Sequence, residues 1–149
     1  MKNYTSSVPV ERTVARIEQV LAKAGASDVL KQYENGAIAA ISFSIANPYD
    51  STKKIMIRLP ANPGGVFSVL TEQVRRPQRD TLIRLKEQSL RTAWKIVQEW
   101  IEIQISMIEM KQAEFLQVFL PYICVTGRTT FFNQLRDSGF KLLGPGKGE

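Results

Sequence analysis

Residues 28–46 read DVLKQYENGAIAAISFSIA. The pair Asn35-Gly36 at their centre is preferred in two-residue type I′ turns, and strand-forming residues flank it on both sides. These residues predict a β-hairpin, with a first strand at 28–34 and a second at 37–46. The hairpin places an antiparallel sheet near the start of the chain.

A third strand and an N-terminal helix complete this predicted unit. Residues 47–52 contain Pro, Asp and Ser and predict a loop, and residues 53–59 predict a strand that ends before a proline. Before the hairpin, apolar residues at helical spacing predict a helix over 9–24. Pro9 suits the first turn of that helix, and Gly25 suits the position just after its end.

Helices are predicted for the rest of the chain. The first covers 65–75, a long one covers about 81–111, a short apolar one covers 114–124, and the last covers 131–138. The expected N-terminal caps are Asn62 or the nearby glycines, then Asp80 or Thr81, and finally Thr129 or Thr130, with Phe131, Phe132 and Leu135 facing inward. The fold class is therefore α+β: an N-terminal helix, a three-stranded antiparallel meander, then three to four helices including one long central helix.

The alternation of side chains along a strand assigns the residues of the sheet to two faces. The face predicted to meet the core contains Leu30, Ile41, Phe43, Ile55 and Ile57. The opposite face is predicted to carry three cations and an aromatic ring: Lys31, Tyr33, Lys54 and Arg58. Such a face suits nucleic acid, and the alternative is an outer face that is solvated or covered by a helix.

The long helix is apolar over most of its circumference. One stripe contains Leu90, Trp94 and Ile101, and a second contains Ile96, Trp100, Ile103, Met107 and Met110. A helix with two apolar stripes is buried on more than one side. Either the remainder of the chain or a second copy of the protein covers the second stripe. Because 149 residues leave limited material to wrap so apolar a helix, a homodimer through the Trp94/Trp100 helix is expected.

The composition excludes several kinds of catalysis. The chain of 149 residues has no His and one Cys, so a Ser-His-Asp or Cys-His centre, a disulfide within the chain and a Cys-rich zinc site are all impossible. Cys124 lies in an apolar run and is expected to be a buried small hydrophobe, with a reactive thiol as the alternative. We expect no enzymatic activity, no catalytic residue, no cofactor and no metal, although an enzyme using Asp, Glu, Lys or Tyr alone stays open.

Length and hydropathy bear on domain organisation and location. The 149 residues fit a single domain, with flexible ends expected at 1–8 and 144–149. No apolar run approaches the roughly 20 residues that span a bilayer, and no signal peptide follows Met1. We therefore expect a cytoplasmic protein with no membrane partner, which a single free Cys also fits.

Positive charge is concentrated in one part of the chain. The net charge is +6, and residues 75–95 account for +5 of it. Arg84 and Arg91 lie seven residues apart and share a helix face, and a basic corner precedes them. The candidate nucleic-acid-binding residues of this region are Arg75, Arg76, Arg79, Arg84, Lys86 and Arg91.

These cations suggest the class of partner. Several cations on one surface neutralise phosphates, and arginine adds bidentate contacts and stacking. We expect sequence-tolerant binding of nucleic acid, DNA or RNA, with Lys31, Tyr33, Lys54 and Arg58 as a second surface. One alternative is that the chain acts as an inhibitor or adaptor of an acidic host protein. The other is that these cations belong to a solvated helix end with no partner.

Several short segments support a resemblance. The chain resembles small phage and prophage proteins with no assigned activity. The segments that carry this resemblance are Val8–Glu18 followed by Gly25-Ala26, Ala93-Trp94 with Trp100-Ile101-Glu102, and Glu114-Phe115-Leu116 with Leu120-Pro121-Tyr122. The likeness covers about residues 8–125 and contains no catalytic motif. It implies a viral or mobile-element origin and a host-cell cytoplasm, and it favours a replication or recombination accessory or an inhibitor of host machinery. The second apolar stripe of the long helix also leaves a structural role in the virion open.

Overall fold

The computed structural model describes residues 7–144 and confirms the α+β fold class. An N-terminal helix, a three-stranded antiparallel sheet and a long central helix occur in the expected order. The predicted flexible ends at 1–8 and 144–149 lie largely outside the described residues. The elements are α1 (Val10–Lys23), β1 (Asp28–Glu34), β2 (Ala37–Asn47), β3 (Asp50–Pro60), α2 (Pro63–Glu72), α3 (Arg79–Glu109), α4 (Phe115–Phe119), β4 (Cys124–Thr126), β5 (Thr129–Thr130) and α5 (Phe131–Asp137).

The three strands form a meander in the order β1-β2-β3. Asn35 and Gly36 both have positive φ, +51° and +79°, as a type I′ turn requires, so the predicted hairpin turn is confirmed. The predicted loop over 47–52 is wrong, because β2 and β3 continue to within two residues of each other. Asn47 Oδ1 accepts a hydrogen bond from the Tyr49 amide at 2.9 Å and stabilises this tighter turn.

A bulge in β2 reverses the faces predicted for β1. Gln32 pairs with Ala40 and Tyr33 pairs with Ile38, so Ala39 has no partner in β1. One extra residue shifts the register by one, and a shift of one moves every side chain to the other face. Lys31 therefore lies opposite Ile41 on the helix-covered face, and Leu30, predicted to be in the core, is 54% exposed.

The core forms where α3 crosses the sheet. Trp94 is fully buried, and its Nε1 donates a hydrogen bond to the Ile38 carbonyl at 3.3 Å. Phe43 of β2 contacts the ring of Phe119 edge-on, with ring centroids 5.5 Å apart. Helix α1 adds Ile17, which is also fully buried. These contacts confirm the first predicted stripe of the long helix as core.

The N-terminal ends of α2 and α3 were each predicted to have a capping residue. Asn62 caps α2 as predicted, since its Oδ1 accepts from the Gly65 amide at 3.0 Å. The predicted cap of α3 at Asp80 or Thr81 is wrong: α3 begins at Arg79, and Gln78 precedes it without a side-chain cap.

No helix within residues 7–144 combines the length and the apolar character needed to cross a bilayer.

The C-terminal part differs most from the prediction. The helix expected over 114–124 is shorter, since α4 ends at Phe119, a 3-10 turn covers Leu120–Tyr122, and a β4–β5 hairpin follows. Ile123 pairs with Ile57, which attaches this segment to the free edge of β3. Thr130 caps α5 as one of the two expected residues, but Phe132, predicted to face inward, is exposed.

Candidate nucleic-acid interface

Six residues connect α2 to α3, and the two helices pack against each other to form a helical hairpin. Leu90 is the first residue of α3 that packs against the hydrophobic core. Residues 79–88 therefore extend beyond the core, supported by α2. We call residues 73–88 the hairpin tip.

One side of α3 is open along the hairpin tip. With about 100° between successive residues, all exposed residues of 79–88 fall within a sector of about 160°. The half-buried residues of the same stretch lie outside this sector, on the side of α2. The exposed residues are Arg79, Asp80, Ile83, Arg84, Lys86 and Glu87; the half-buried ones are Thr81, Leu82, Leu85 and Gln88.

The cations of α3 form two rows along the edges of this open sector. Arg79 and Lys86 are seven residues apart and define one row, and Arg84 and Arg91 define the other. The second row was predicted from its spacing. The first was missed, although the same spacing reveals it. Ile83 lies between the rows and is 51% exposed, which sequence periodicity alone did not indicate.

The exposed cations of the hairpin tip have no acidic partner within the described chain, whereas several cations elsewhere do. Ion pairs elsewhere join Arg16 to Glu102 at 3.0 Å and Lys54 to Asp28 at 2.8 Å, with further pairs at Lys31, Lys53 and Arg136. Five exposed tip cations form no ion pair with a described carboxylate: Arg75, Arg76, Arg79, Arg84 and Lys86. Even Arg84 and Asp80, four residues apart, are not paired.

Arg91 differs from the other candidate cations. It is half-buried, and its guanidinium donates a hydrogen bond to Gln88 Oε1 at 2.8 Å. This contact holds the guanidinium along the helix surface, near the boundary between the core and the hairpin tip. Arg91 therefore continues the row that Arg84 begins, but it is less accessible than the other cations.

The second predicted surface is not formed as expected. Lys31 and Tyr33 lie on the α1 side of the sheet, because of the bulge, whereas Lys54 and Arg58 lie on the opposite face. Lys31 Nζ is 3.0 Å from Glu18, and this carboxylate raises the pKa of the ammonium group. The prediction of one platform with these four residues is therefore wrong.

Each of these four residues already has a local contact. Tyr33 lines a small cleft of about 270 Å³ beside α1. Lys54 is paired with Asp28, and Arg58 Nε donates to Gln32 Oε1 at 2.9 Å. The hydrogen bonds from Lys54 and Ser44 lower the pKa of Asp28. Lys31 and Lys54 are therefore paired with carboxylates, and Arg58 is hydrogen-bonded to a neutral amide.

We expect Asp28→Asn to make the fold less sensitive to acid. The folded-state pKa of Asp28 lies below its unfolded value of about 3.9. Its stabilising contribution is therefore present above that pH and lost as pH falls through the folded pKa. Melting temperatures from about pH 5 to pH 2 should fall less for this variant than for the unsubstituted chain.

The matched control for this measurement is Glu99→Gln, which removes an exposed carboxylate that forms no ion pair with a described residue. Its melting temperature should follow that of the unsubstituted chain across the same pH range. Identical acid sensitivity in Asp28→Asn and in the unsubstituted chain would contradict the role of the Asp28–Lys54 pair.

Cys124 is half-buried at the start of β4. Burial raises the pKa of its thiol, and the nearby Arg58 only partly offsets this. A raised pKa keeps the group protonated at neutral pH, and the protonated thiol is a poor nucleophile. The structure therefore favours the structural interpretation of Cys124 over the reactive one.

The second stripe of α3 is only partly covered. Trp100 packs edge-on against Phe119 and Tyr122, and Trp94 is in the core. The exposed part of the stripe consists of Ile96, Ile103 and Met110, at intervals of seven residues. The homodimer stays a prediction, and contact between two copies through this helix would use these three residues. Light scattering of the purified chain measures the oligomeric state.

An apolar cleft lies beside the β2–β3 turn, away from the hairpin tip. Its volume is about 610 Å³, and Ile45, Tyr49 and Phe115 line it between α1, the β2–β3 turn and α4. Glu114 is its one charged lining residue, and its carboxylate is used in the cap of α4. The cleft brings together no pair of groups suited to acid–base or nucleophilic chemistry among its lining residues.

Comparisons with protein-family models, with curated proteins and with solved structures find no match to the chain. The resemblance to phage proteins therefore stays a prediction.

Proposed function

We propose that the chain is a non-enzymatic protein that binds nucleic acid through the phosphate groups, using the hairpin tip. The observation that carries this proposal is the group of five exposed cations without acidic partners. They occur within the twelve residues from Arg75 to Lys86. Several cations on one projecting surface neutralise neighbouring phosphates, which dominate the affinity of nucleic-acid-binding proteins.

The contrast with the rest of the fold supports this proposal. Several cations on the sheet and on α1 pair with carboxylates, as Lys54 and Arg16 do, whereas the five tip cations form no such pair with a described residue. Arg79 also lies in the first turn of α3, where the helix dipole disfavours a cation by a few tenths of a kcal/mol. A phosphate partner offsets that cost and the mutual repulsion of the cations.

The proposed mechanism is phosphate neutralisation with limited reading of sequence. Arg75 and Arg76 lie in the connection between the helices, and Arg76 has a positive φ of +50° that turns the chain at this point. Arg79, Arg84 and Lys86 extend the positive surface along α3. Guanidinium groups contact phosphate oxygens in a bidentate manner, which gives affinity but little sequence information.

The biological setting we propose follows from the phage resemblance. A small phage protein that binds nucleic acid without strong sequence preference suits an accessory role in replication or recombination. The second candidate is an inhibitor or adaptor that contacts an acidic surface of a host protein. The same uncompensated cations favour it, since they complement acidic side chains as well as phosphates.

Fluorescence anisotropy tests the proposal directly. Labelled single-stranded and double-stranded oligonucleotides of unrelated sequence are titrated with the chain at about 50 and 200 mM salt. We expect micromolar or tighter binding at the lower salt concentration and a fall of at least tenfold at the higher one. Binding that does not respond to salt, or no binding at low salt, would overturn the proposal and leave the acidic host protein as the partner to pursue.

A further inference from the structure

We infer that the nucleic acid is B-form duplex DNA, and that the open sector of α3 at the hairpin tip enters its major groove. This inference rests on the proposed function and adds the form of the ligand to it. Three observations carry it: the length of helix that projects from the core, the two rows of cations, and the uncharged and acidic side chains between them.

The projecting part of α3 has the dimensions of a groove-binding helix. Residues 79–88 are ten residues, which gives a length of about 15 Å, and an α-helix with its side chains is about 10–12 Å wide. The major groove of B-form DNA is about 12 Å wide and admits one helix. Since α2 covers only the opposite side of this stretch, the open sector has free access to a groove.

The two rows of cations match the two walls of the groove. Arg79 lies about 140° and Lys86 about 160° around the helix axis from Arg84, and Arg91 continues the Arg84 row. A helix in the major groove has one phosphate backbone on each side. Rows on both edges of the open sector therefore contact both strands at once, whereas a single strand would engage only one row.

The side chains between the rows are suited to base edges rather than to phosphates. Ile83 is 51% exposed and can contact the methyl group of thymine. Asp80 and Glu87 are exposed in the same sector, where a carboxylate accepts from the amino group of cytosine. Carboxylates directed at a phosphate backbone would repel it, so their position favours a backbone at the edges of the sector and bases at its centre.

The same geometry disfavours RNA duplexes and single strands. The major groove of A-form RNA is deep and narrow, and side chains do not read it. Proteins that bind single strands stack bases on aromatic rings, and the exposed residues of 79–88 include no aromatic side chain. We therefore expect the chain to prefer duplex DNA to both alternatives of the same sequence.

Methylation interference locates the contacts. Duplex DNA is methylated sparsely at guanine N7, in the major groove, and at adenine N3, in the minor groove, and bound DNA is separated from free DNA. Both modifications add a positive charge, so each controls for the electrostatic effect of the other. We expect the bound fraction to be depleted in N7-methylated guanine but not in N3-methylated adenine, and duplex DNA to bind at least tenfold more tightly than single strands or RNA duplexes.

Two variants complete the test. Ile83→Ala is expected to reduce the preference for thymine-containing duplexes over the same duplexes with uracil, whereas Val125→Ala, on an exposed residue of β4 outside the hairpin tip, leaves it unchanged. Salt-sensitive binding that is equal for all nucleic acids, or depletion at adenine N3 alone, overturns the major-groove inference and leaves the proposed function intact. Absence of salt-sensitive binding removes both.

Discussion

Replacing Arg75, Arg76 and Arg79 together with alanine is expected to weaken the binding of duplex DNA by two to three orders of magnitude at about 0.1 M salt. The loss should be the same for unrelated sequences, because these three cations are proposed to contact phosphates. The slope of log affinity against log salt concentration should become smaller by about 2 to 3. Anisotropy titrations at four salt concentrations measure both quantities.

The size of this effect follows from counterion release. Each phosphate that a cation neutralises releases close to one bound counterion, and at about 0.1 M salt that release contributes nearly a factor of ten in affinity. The three arginines are exposed and form no ion pair in the described chain, so their removal leaves no carboxylate without its partner. The loss of affinity should therefore be electrostatic and independent of folding.

A matched control removes the same charge elsewhere. Lys23, Lys111 and Arg128 are exposed and lie outside the hairpin tip; Lys111 follows the opposite end of α3 from Arg79, about 45 Å away. Their combined replacement by alanine changes the net charge equally and is expected to weaken binding by less than tenfold. Equal losses in the two triple variants would show that net charge alone, and not the hairpin tip, determines binding.

The elements that sequence predicted well are those with strong local signals. Asn35-Gly36 requires two positive φ angles and therefore defines the hairpin, and Gly25 ends α1 with φ of +111°. The apolar spacing around Trp94 predicts both the length of α3 and the face that meets the sheet. In each case the decisive interaction lies within a few residues or repeats with the helical period.

The elements that sequence missed depend on contacts between distant residues. The bulge at Ala39 has no glycine to indicate it, and it places both Ile38 and Ile41 in the buried core. That single extra residue moved Lys31 to the other face and removed the predicted second surface. Likewise, the β4–β5 hairpin follows Ile123, which pairs with Ile57, some 66 residues earlier.

The candidate site was partly predictable, because some of its features are local in sequence and others depend on the packing of distant residues. The density of cations between Arg75 and Arg91 is a property of sequence, and so is the spacing of Arg84 and Arg91. Which side of α3 is open depends on where α2 packs and where the core begins, at Leu90. The two rows and the exposed Ile83 between them emerge only when these packing contacts are known.

Trp94→Ala is expected to reduce the free energy of unfolding by about 3–5 kcal/mol. Trp94 is fully buried, so the substitution leaves a large cavity between α3 and the sheet. It also removes the hydrogen bond from Nε1 to the Ile38 carbonyl, beside the bulge. Because small domains are typically stable by about 5–15 kcal/mol, a large part of the folding free energy is lost. Urea denaturation at constant temperature measures the change.

Two further variants separate the contributions of burial and hydrogen bonding. Trp94→Phe keeps an aromatic ring in the core but lacks the donor, and we expect it to remain folded with an intermediate loss of stability. Ile103→Ala truncates a side chain on the same helix that is 59% exposed, and its effect should be within about 0.5 kcal/mol. Equal stability losses for Trp94→Ala and Ile103→Ala would contradict the assignment of the core.

The Trp94→Phe variant also tests whether the core and the interface are independent. Helix α3 belongs to both, because its first ten residues form part of the hairpin tip and its middle packs on the sheet. The tip is supported by α2 rather than by Trp94, and its cations make no described ion pair with the core. Folded Trp94→Phe should therefore bind nucleic acid with the affinity of the unsubstituted chain. A large loss of affinity without unfolding would mean that the orientation of α3 on the sheet positions the tip.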